Sequence, residues 1–403
     1  MGIHSRDLLR GALARGRVIA VCDVDTTRRN DAKAKVDEHY KNSDCATYSD
    51  FRDLIARKDI DVVFIVTPDH WHAIQALAAL RAGKDIYCEK PLTHNIHEAV
   101  TLMREAKATD RIVQTGSIQR SFQEFRVACE LVQNGVIGDL THVDCRFGGP
   151  AIPCNLPEEA MEPGLDWDMW LGPAPMRPYN SSLAPRGVHD HYPNWRRYRE
   201  YATGGIGDWG AHHLDIVQWA LGMDASGPVE IIPAENARAN GGAQLLYANG
   251  VKVNHVSGRG GIHFFGSNGE IYVSRGQFFL KVNGETIADY WRRSVDGENV
   301  PRTANTSCAA EVQKAVRTCL KDAKIRLYRS SNHLANFFEC VQSRKPTVAD
   351  VEIGARTSIC CHLLSQCYYH HAHMKWDPSK MVFTGGTGDP AWLTREYRDA
   401  WKV

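Results

Sequence analysis

Ile60-Asp61-Val62-Val63-Phe64-Ile65-Val66-Thr67-Pro68-Asp69-His70-Trp71-His72 is an apolar, β-branched run halted by a proline turn. Such a run reads as a strand buried on both faces, as in a parallel sheet. A helix over residues 73–82 follows and closes at Gly83, and Asp85-Ile86-Tyr87-Cys88 is a further strand that runs straight into Glu89-Lys90-Pro91-Leu92. Strands alternating with helices at this rhythm predict a doubly wound parallel sheet, whose ligands bind at the carboxyl ends of the strands. Lys90 stands at such an end, where its amine can bridge a ring cofactor and a substrate hydroxyl; as a surface lysine it would merely pair with Glu89.

Upstream, residues 5–15 have helical spacing, and Arg17-Val18-Ile19-Ala20-Val21-Cys22-Asp23 is a short strand ending on an acid. A carboxylate there suits the adenosine ribose of a dinucleotide, although Asp23 could simply open the turn Asp23-Val24-Asp25-Thr26. A dinucleotide fold opens with a strand feeding G-x-G-x-x-G, whereas here Met1-Gly2-Ile3-His4-Ser5 stands where only the last glycines would be. Gly2 suits a late glycine of that motif. The first strand is therefore expected to be missing or truncated in the sequence as given, or else the cofactor site is incomplete. Helices are expected over 32–40 and 48–55, and a strand near 111–116 ends a first domain set at residues 1–121.

From Phe122 the pattern changes. Leu140 to Phe147 alternates in strand fashion, and turns at Asn249-Gly250 and Asn268-Gly269 join further strands into a large, open, mostly antiparallel sheet. Late helices over 334–343 and 349–369 complete a C-terminal α/β domain, residues 122–403. Helices cover one face of the sheet, and another subunit could cover the other.

Between these parts, residues 148–203 are rich in Pro and Trp and too long for a plain connector. Trp167, Arg186, His189, Tyr192 and Trp195 offer aromatic faces and polar groups of the kind that hold a sugar. His189-Asp190-His191 lacks a third ligand at fixed spacing, so no metal is expected. The stretch Gly204-Gly205-Ile206-Gly207-Asp208-Trp209-Gly210-Ala211-His212-His213-Leu214-Asp215 opens a helix on which Asp208 and His212 share a face, with Asp215 a turn further on. A carboxylate beside an imidazole is the pairing of a general base. His213 lies on another stripe with Trp209, Ile216 and Ala220, and that stripe reads as core.

With 48 basic and 47 acidic residues, no overall field draws the chain to nucleic acid or an anionic membrane, and a small, weakly charged ligand fits better. The 12 cysteines have no C-x-x-C pairing and read as free thiols of a reducing compartment. Residues 1–15 have no apolar core of a signal peptide, and no apolar run approaches a membrane span. A cytoplasmic location is expected, or a periplasmic one if an export signal lies upstream.

Together, the acid-ended strand at Asp23, Val66-Thr67-Pro68 with His72, Cys88-Glu89-Lys90-Pro91-Leu92, and Asp208-x-Gly210-x-His212-x-x-Asp215 resemble the glucose-fructose oxidoreductase / inositol dehydrogenase / MocA (Gfo/Idh/MocA) family. The resemblance spans nearly the whole chain. It implies a nicotinamide dinucleotide in an N-terminal Rossmann domain and a C-terminal sheet that joins homodimers or homotetramers. Carried over by position, Lys90, Asp208 and His212 form the catalytic group, and Gly2, Asp23, Thr67, Pro68, His72, Glu89, Lys90 and Gln119 line the cofactor. Asp23 favours NAD, while Arg28 and Arg29 keep NADP open. The expected activity is hydride transfer between nicotinamide and a secondary hydroxyl of a sugar, glycoside or cyclitol. Two alternatives remain at this point: NAD-dependent glycoside cleavage by transient oxidation and elimination, and a non-catalytic sugar-binding relative with an impaired nucleotide site.

Overall fold

The computed structural model describes residues 1–291, 294–295, 298–299 and 306–402. Its N-terminal part alternates helices and strands: α1 (Ile3–Leu13), β1 (Ala20–Cys22), α2 (Thr26–Tyr40), β2 (Ala46–Tyr48), α3 (Phe51–Ile55), β3 (Val62–Ile65), α4 (Asp69–Arg81), β4 (Asp85–Cys88), α5 (Ile96–Lys107) and β5 (Val113–Thr115). All pairings in this part are parallel, as expected, but they form two separate sheets, β1–β2 and β3–β4–β5. Strands β1 and β3 line one shared cavity instead of pairing through a common neighbour. Helix α5 escaped the sequence reading, although its start is written in the chain. Asn95 accepts from the Glu98 amide at 2.9 Å, and the Glu98 carboxylate accepts from the His94 amide at 2.8 Å, a reciprocal cap.

The second part contains α6 (Gln123–Gln133), β6 (Leu140–Phe147), α7 (Trp167–Leu171), α8 (Ala211–Ala220), β7 (Glu230–Ile232), β8 (Gln244–Leu246), β9 (Lys252–Ser257), β10 (Ile262–Gly266), β11 (Gly269–Ser274), β12 (Gln277–Val282) and β13 (Glu285–Tyr290). After a small ribbon of β14 (Ser294–Val295) and β15 (Glu298–Asn299) come α9 (Cys308–Cys319), α10 (His333–Ser343), α11 (Val351–His370), β16 (Met374–Asp377) and β17 (Val382–Thr384). Ten strands make one sheet in the order β13-β12-β11-β10-β6-β9-β8-β7-β16-β17, antiparallel except where β6 meets β9. Along β6, Val143, Cys145 and Phe147 are buried while Thr141 and Arg146 are exposed, the alternation of a sheet covered by helices on one face.

The late helices bind the two parts together. Phe337 of α10 packs edge-on against Tyr87 of β4 at 5.6 Å, and the Thr115 amide of β5 donates to the Ala349 carbonyl at 2.8 Å, just before α11. The Ser358 hydroxyl of α11 accepts from the Leu92 amide at 3.2 Å. All 12 cysteines are free, most of them buried. No described helix is long and apolar enough to cross a membrane.

Candidate active site

A cavity of about 1230 Å³ runs from the carboxyl ends of β1, β3 and β4 to the start of α8. One arm, between β1 and β3, is apolar. The other is polar and brings Lys90, Asp208 and His212 onto one wall.

A glycine sets up that wall. Gly204 has φ +70°, a conformation that costs a side-chain-bearing residue strain, and it turns the chain into Ile206–Gly210, a single π turn preceding α8. The wider turn alters the expected face. Asp208 is drawn to Lys90, whose ammonium donates to its carboxylate at 2.7 Å and to its carbonyl at 2.9 Å. The expected carboxylate–imidazole pair is thus replaced by a carboxylate–ammonium pair. His212 is 7% exposed, and its Nδ1 has no hydrogen-bond partner among the described residues. Burial, reinforced by the Lys90 charge, pushes its imidazole well below the usual histidine range, so the ring is neutral. For Asp208, burial works against ionisation, but Lys90 outweighs it and holds the carboxyl below its ordinary range.

The same turn overturns the core reading of Trp209. His213, Ile216 and Ala220 are buried, and the His213 ring meets the Arg146 carbonyl at 2.9 Å, yet Trp209 is 44% exposed and lines the cavity. Asp215 is wholly buried and braces the scaffold. It accepts from the Arg120 guanidinium at 2.9 Å, Arg120 also holds Asp224 at 2.6 Å, and burial raises the Asp215 carboxyl to about 6.

The remaining candidates divide. Gly2, Asp23, Thr67, Pro68, His72 and Glu89 border the cavity. The ring of His72, however, sits between the Pro91 and Thr67 carbonyls at 2.7 and 2.9 Å, so it latches two strand tips together. Asp23 pairs with the Met1 amine and accepts from the Asp25 amide at 2.9 Å. Gln119 lies behind the wall and donates to the His212 carbonyl at 3.2 Å. Among the proposed sugar contacts, Tyr192 and Trp195 reach the cavity, whereas Trp167, Arg186 and His189 do not. Trp167 stacks on Trp170 at 4.8 Å, Arg186 turns to Asp25 at 3.4 Å, and His189 contacts the Arg28 guanidinium at 2.8 Å. Residue type marked these three as ligands; Trp167 is claimed by packing within its own loop, and Arg186 and His189 by Asp25 and Arg28 at the start of α2.

Four wall residues were not singled out from the sequence. His4 meets the Glu89 carboxylate at 3.0 Å, and that contact raises the imidazole's pKa against the cost of burial. Asp69 opens α4, and burial pushes its carboxyl up to about 8. Arg196 and Arg275 stack on aromatic rings, Arg196 over Trp195 at 4.2 Å and Arg275 over Trp209 at 4.7 Å.

A dinucleotide fits this architecture. The first turn of α1 carries no side-chain cap, which leaves its amides for an anion beside Asp23. At Gly116, after β5, a Cβ would lie 2.5 Å from the Glu89 carboxylate, so a larger residue there would displace that carboxylate from the cavity floor. Arg28 donates to the Gly187 carbonyl at 2.9 Å and Arg29 to the Asp23 carbonyl at 2.7 Å, so both are engaged with backbone rather than held for a ribose phosphate.

Comparison with known proteins bears on the family and the fold. The family model described as oxidoreductase family, NAD-binding Rossmann fold, matches residues 4–117, and its C-terminal alpha/beta domain matches residues 136–254. Inositol 2-dehydrogenase of Rhodococcus erythropolis is 31% identical over 150 residues, 34% of this chain and 43% of that protein. Inositol 2-dehydrogenase of Salmonella paratyphi B is 34% identical over 122 residues, 30% of this chain and 35% of that protein. The chain thus spans less than half the length of these curated relatives. Among solved structures, aldose-aldose oxidoreductase from Caulobacter crescentus, complexed with glycerol, superposes with a TM-score of 0.58 at 17% identity, covering 93% of this chain and 97% of that one. A levoglucosan dehydrogenase complex with NADH and levoglucosan gives 0.58 at 16% identity, over 91% and 94% of the two chains.

Proposed function

That this chain belongs to the Gfo/Idh/MocA oxidoreductase family is the premise from which we propose that it is an NAD-dependent dehydrogenase acting on a secondary hydroxyl of a sugar, glycoside or cyclitol. The observation that carries the reading is the meeting of Lys90, from the tip of β4, with Asp208 and His212, from the second part, on one cavity wall. The relatives' names, inositol 2-dehydrogenase and levoglucosan dehydrogenase, point to the same substrate class.

The roles follow from charge and position. His212, neutral because it is buried, accepts the hydroxyl proton. Lys90 donates hydrogen bonds to the same oxygen and so lowers the cost of its negative charge. Asp208 holds the ammonium in place and balances its charge. Bound NAD supplies the hydride acceptor. Asp23 and the first turn of α1 bind the adenosine end, Trp209 and Tyr192, both exposed, give the sugar apolar ring surface, and the buried Trp195 carries Arg196 beneath it. The face of the large sheet that carries the His142–Phe265 stack (4.4 Å) joins copies into a homodimer or homotetramer.

The test is NADH formation with myo-inositol, levoglucosan and simple aldoses. Lys90→Ala and His212→Ala are each expected to lower kcat by about two to four orders of magnitude with the fold retained by circular dichroism. Near-normal turnover in either variant defeats the assignment. Release of an aglycone from a glycoside without net NADH would move the reaction to elimination.

A further inference from the structure

Charge at the catalytic end of the cavity does not balance. Lys90 and Asp208 form one pair, and His4 and Glu89 a second. Asp69 adds no charge near neutrality, because burial keeps its carboxyl protonated up to about pH 8. Arg196 and Arg275 remain. Among the described residues, neither has a carboxylate within ion-pair distance. Among the described residues, Arg275 donates to the Gln119 side-chain carbonyl at 3.3 Å, and the buried Nη1 of Arg196 meets no hydrogen-bond partner.

Both guanidinium groups are nevertheless held in place. Arg196 lies over the Tyr192 ring at 4.9 Å and over the Trp195 ring at 4.2 Å, and Arg275 lies over Trp209 at 4.7 Å. Stacking on a ring face orients a guanidinium and leaves its in-plane N–H fork available. All five of these residues line the cavity that holds Lys90 and His212. A neutral sugar would leave two cations and a buried donor without an anion. A carboxylate or phosphate answers both needs, since the arginine fork matches either group.

We propose that the substrate is an anionic sugar, carrying a carboxylate or phosphate group that Arg196 and Arg275 receive while the ring hydroxyl lies against Lys90 and His212. This deepens the oxidoreductase reading and rests on it. It also departs from the weakly charged ligand that the even overall charge suggests, because the local excess is invisible in the total.

The test is calorimetric titration of the full chain, in the presence of NAD, with D-glucuronate, D-glucose 6-phosphate and D-glucose. The expected result is at least about 10-fold tighter binding of one acidic sugar than of glucose, roughly the discrimination of one charged contact. Preference for glucuronate assigns a carboxylate, and preference for the phosphate ester assigns a phosphate. In Arg196→Gln and in Arg275→Gln the ratio should fall toward one, and Arg196→Lys should restore part of it. Arg275 is exposed, so its variant keeps the test valid if Arg196→Gln unfolds. Equal binding of all three sugars, binding of none, or an unchanged ratio in the folded variants overturns the proposal. NADH formation with neutral sugars alone would sink the anionic substrate and leave the dehydrogenase. Tight binding of the acid with no NADH from any sugar would sink the dehydrogenase instead.

Discussion

Asp69 is a carboxyl group kept uncharged by its surroundings, and that gives it a measurable pH signature. It is 6% exposed, and burial raises its pKa to about 8, against the opposing effect of Arg196. In the unfolded chain the same group ionises at about 4. Below pH 4 both states are protonated, so Asp69 has no effect. Between about pH 4 and pH 8 the unfolded state loses its proton and the folded state keeps it, so the contribution of Asp69 to stability falls as pH rises, and levels off above 8. Asp69→Asn should therefore raise the melting temperature, with a gain on the order of a few kcal/mol at pH 8 that vanishes near pH 4. A gain equal at both pH values would mean that the carboxyl is ionised in the fold. Of the residues on this wall, Lys90, Asp208 and His212 are legible in the sequence because each lies in a compact stretch with its own turn. Arg196, Arg275 and Asp69 are not: the rings that hold Arg196 are its sequence neighbours, but the fold alone sets all three on one cavity with Lys90 and His212. The β11–β12 turn carries Arg275, and only the fold brings it to Trp209.

The glycine-rich entry to α8 decides where those side chains point. Periodicity locates the helix but cannot reveal the π turn at Ile206–Gly210, since one wider turn leaves the apolar count almost unchanged. That turn explains why Trp209 leaves the core stripe and Asp208 turns to Lys90. Gly205 permits it: a Cβ there would lie 2.5 Å from the carbonyl carbon of Gly148, and backbone cannot yield as a flexible side chain can. Gly205→Ala should cost about 1 to 3 kcal/mol in chemical denaturation and, by displacing Asp208 and His212, lower kcat more than it raises KM. Loss of stability with normal kcat would separate the turn from the site. Among the strands, β6 and β9–β11 are readable from alternation and Asn-Gly turns. β7, β16 and β17 are not, because they are short edge-side strands whose pairing is set by β8 and by each other.

Across the whole molecule, order is unevenly distributed. Strand β4 is buried along its full length between β3 and β5, whereas β1, among the described strands, pairs with β2 alone through three residues each, and both are half-buried. A parallel sheet normally gains its stability from burial on both faces and pairing on both edges, and a two-stranded ribbon is marginal alone. Amides of β1 and β2 should therefore exchange with deuterium sooner than those of β4 in the free protein. The proposed cofactor bears on that difference directly, because Asp23 stands at the tip of β1 and Lys90 at the tip of β4, on the same cavity. NAD at about 100 times its Kd would stabilise the folded form by about 2.7 kcal/mol, and most of the added protection should fall on α1, β1 and β2. Exchange read by mass spectrometry with and without NAD needs no substrate and no turnover. Slowing confined to the first part supports the cofactor bridging the two small sheets, while unchanged exchange at millimolar NAD removes the nucleotide from this cavity and leaves Lys90 and His212 without a hydride acceptor.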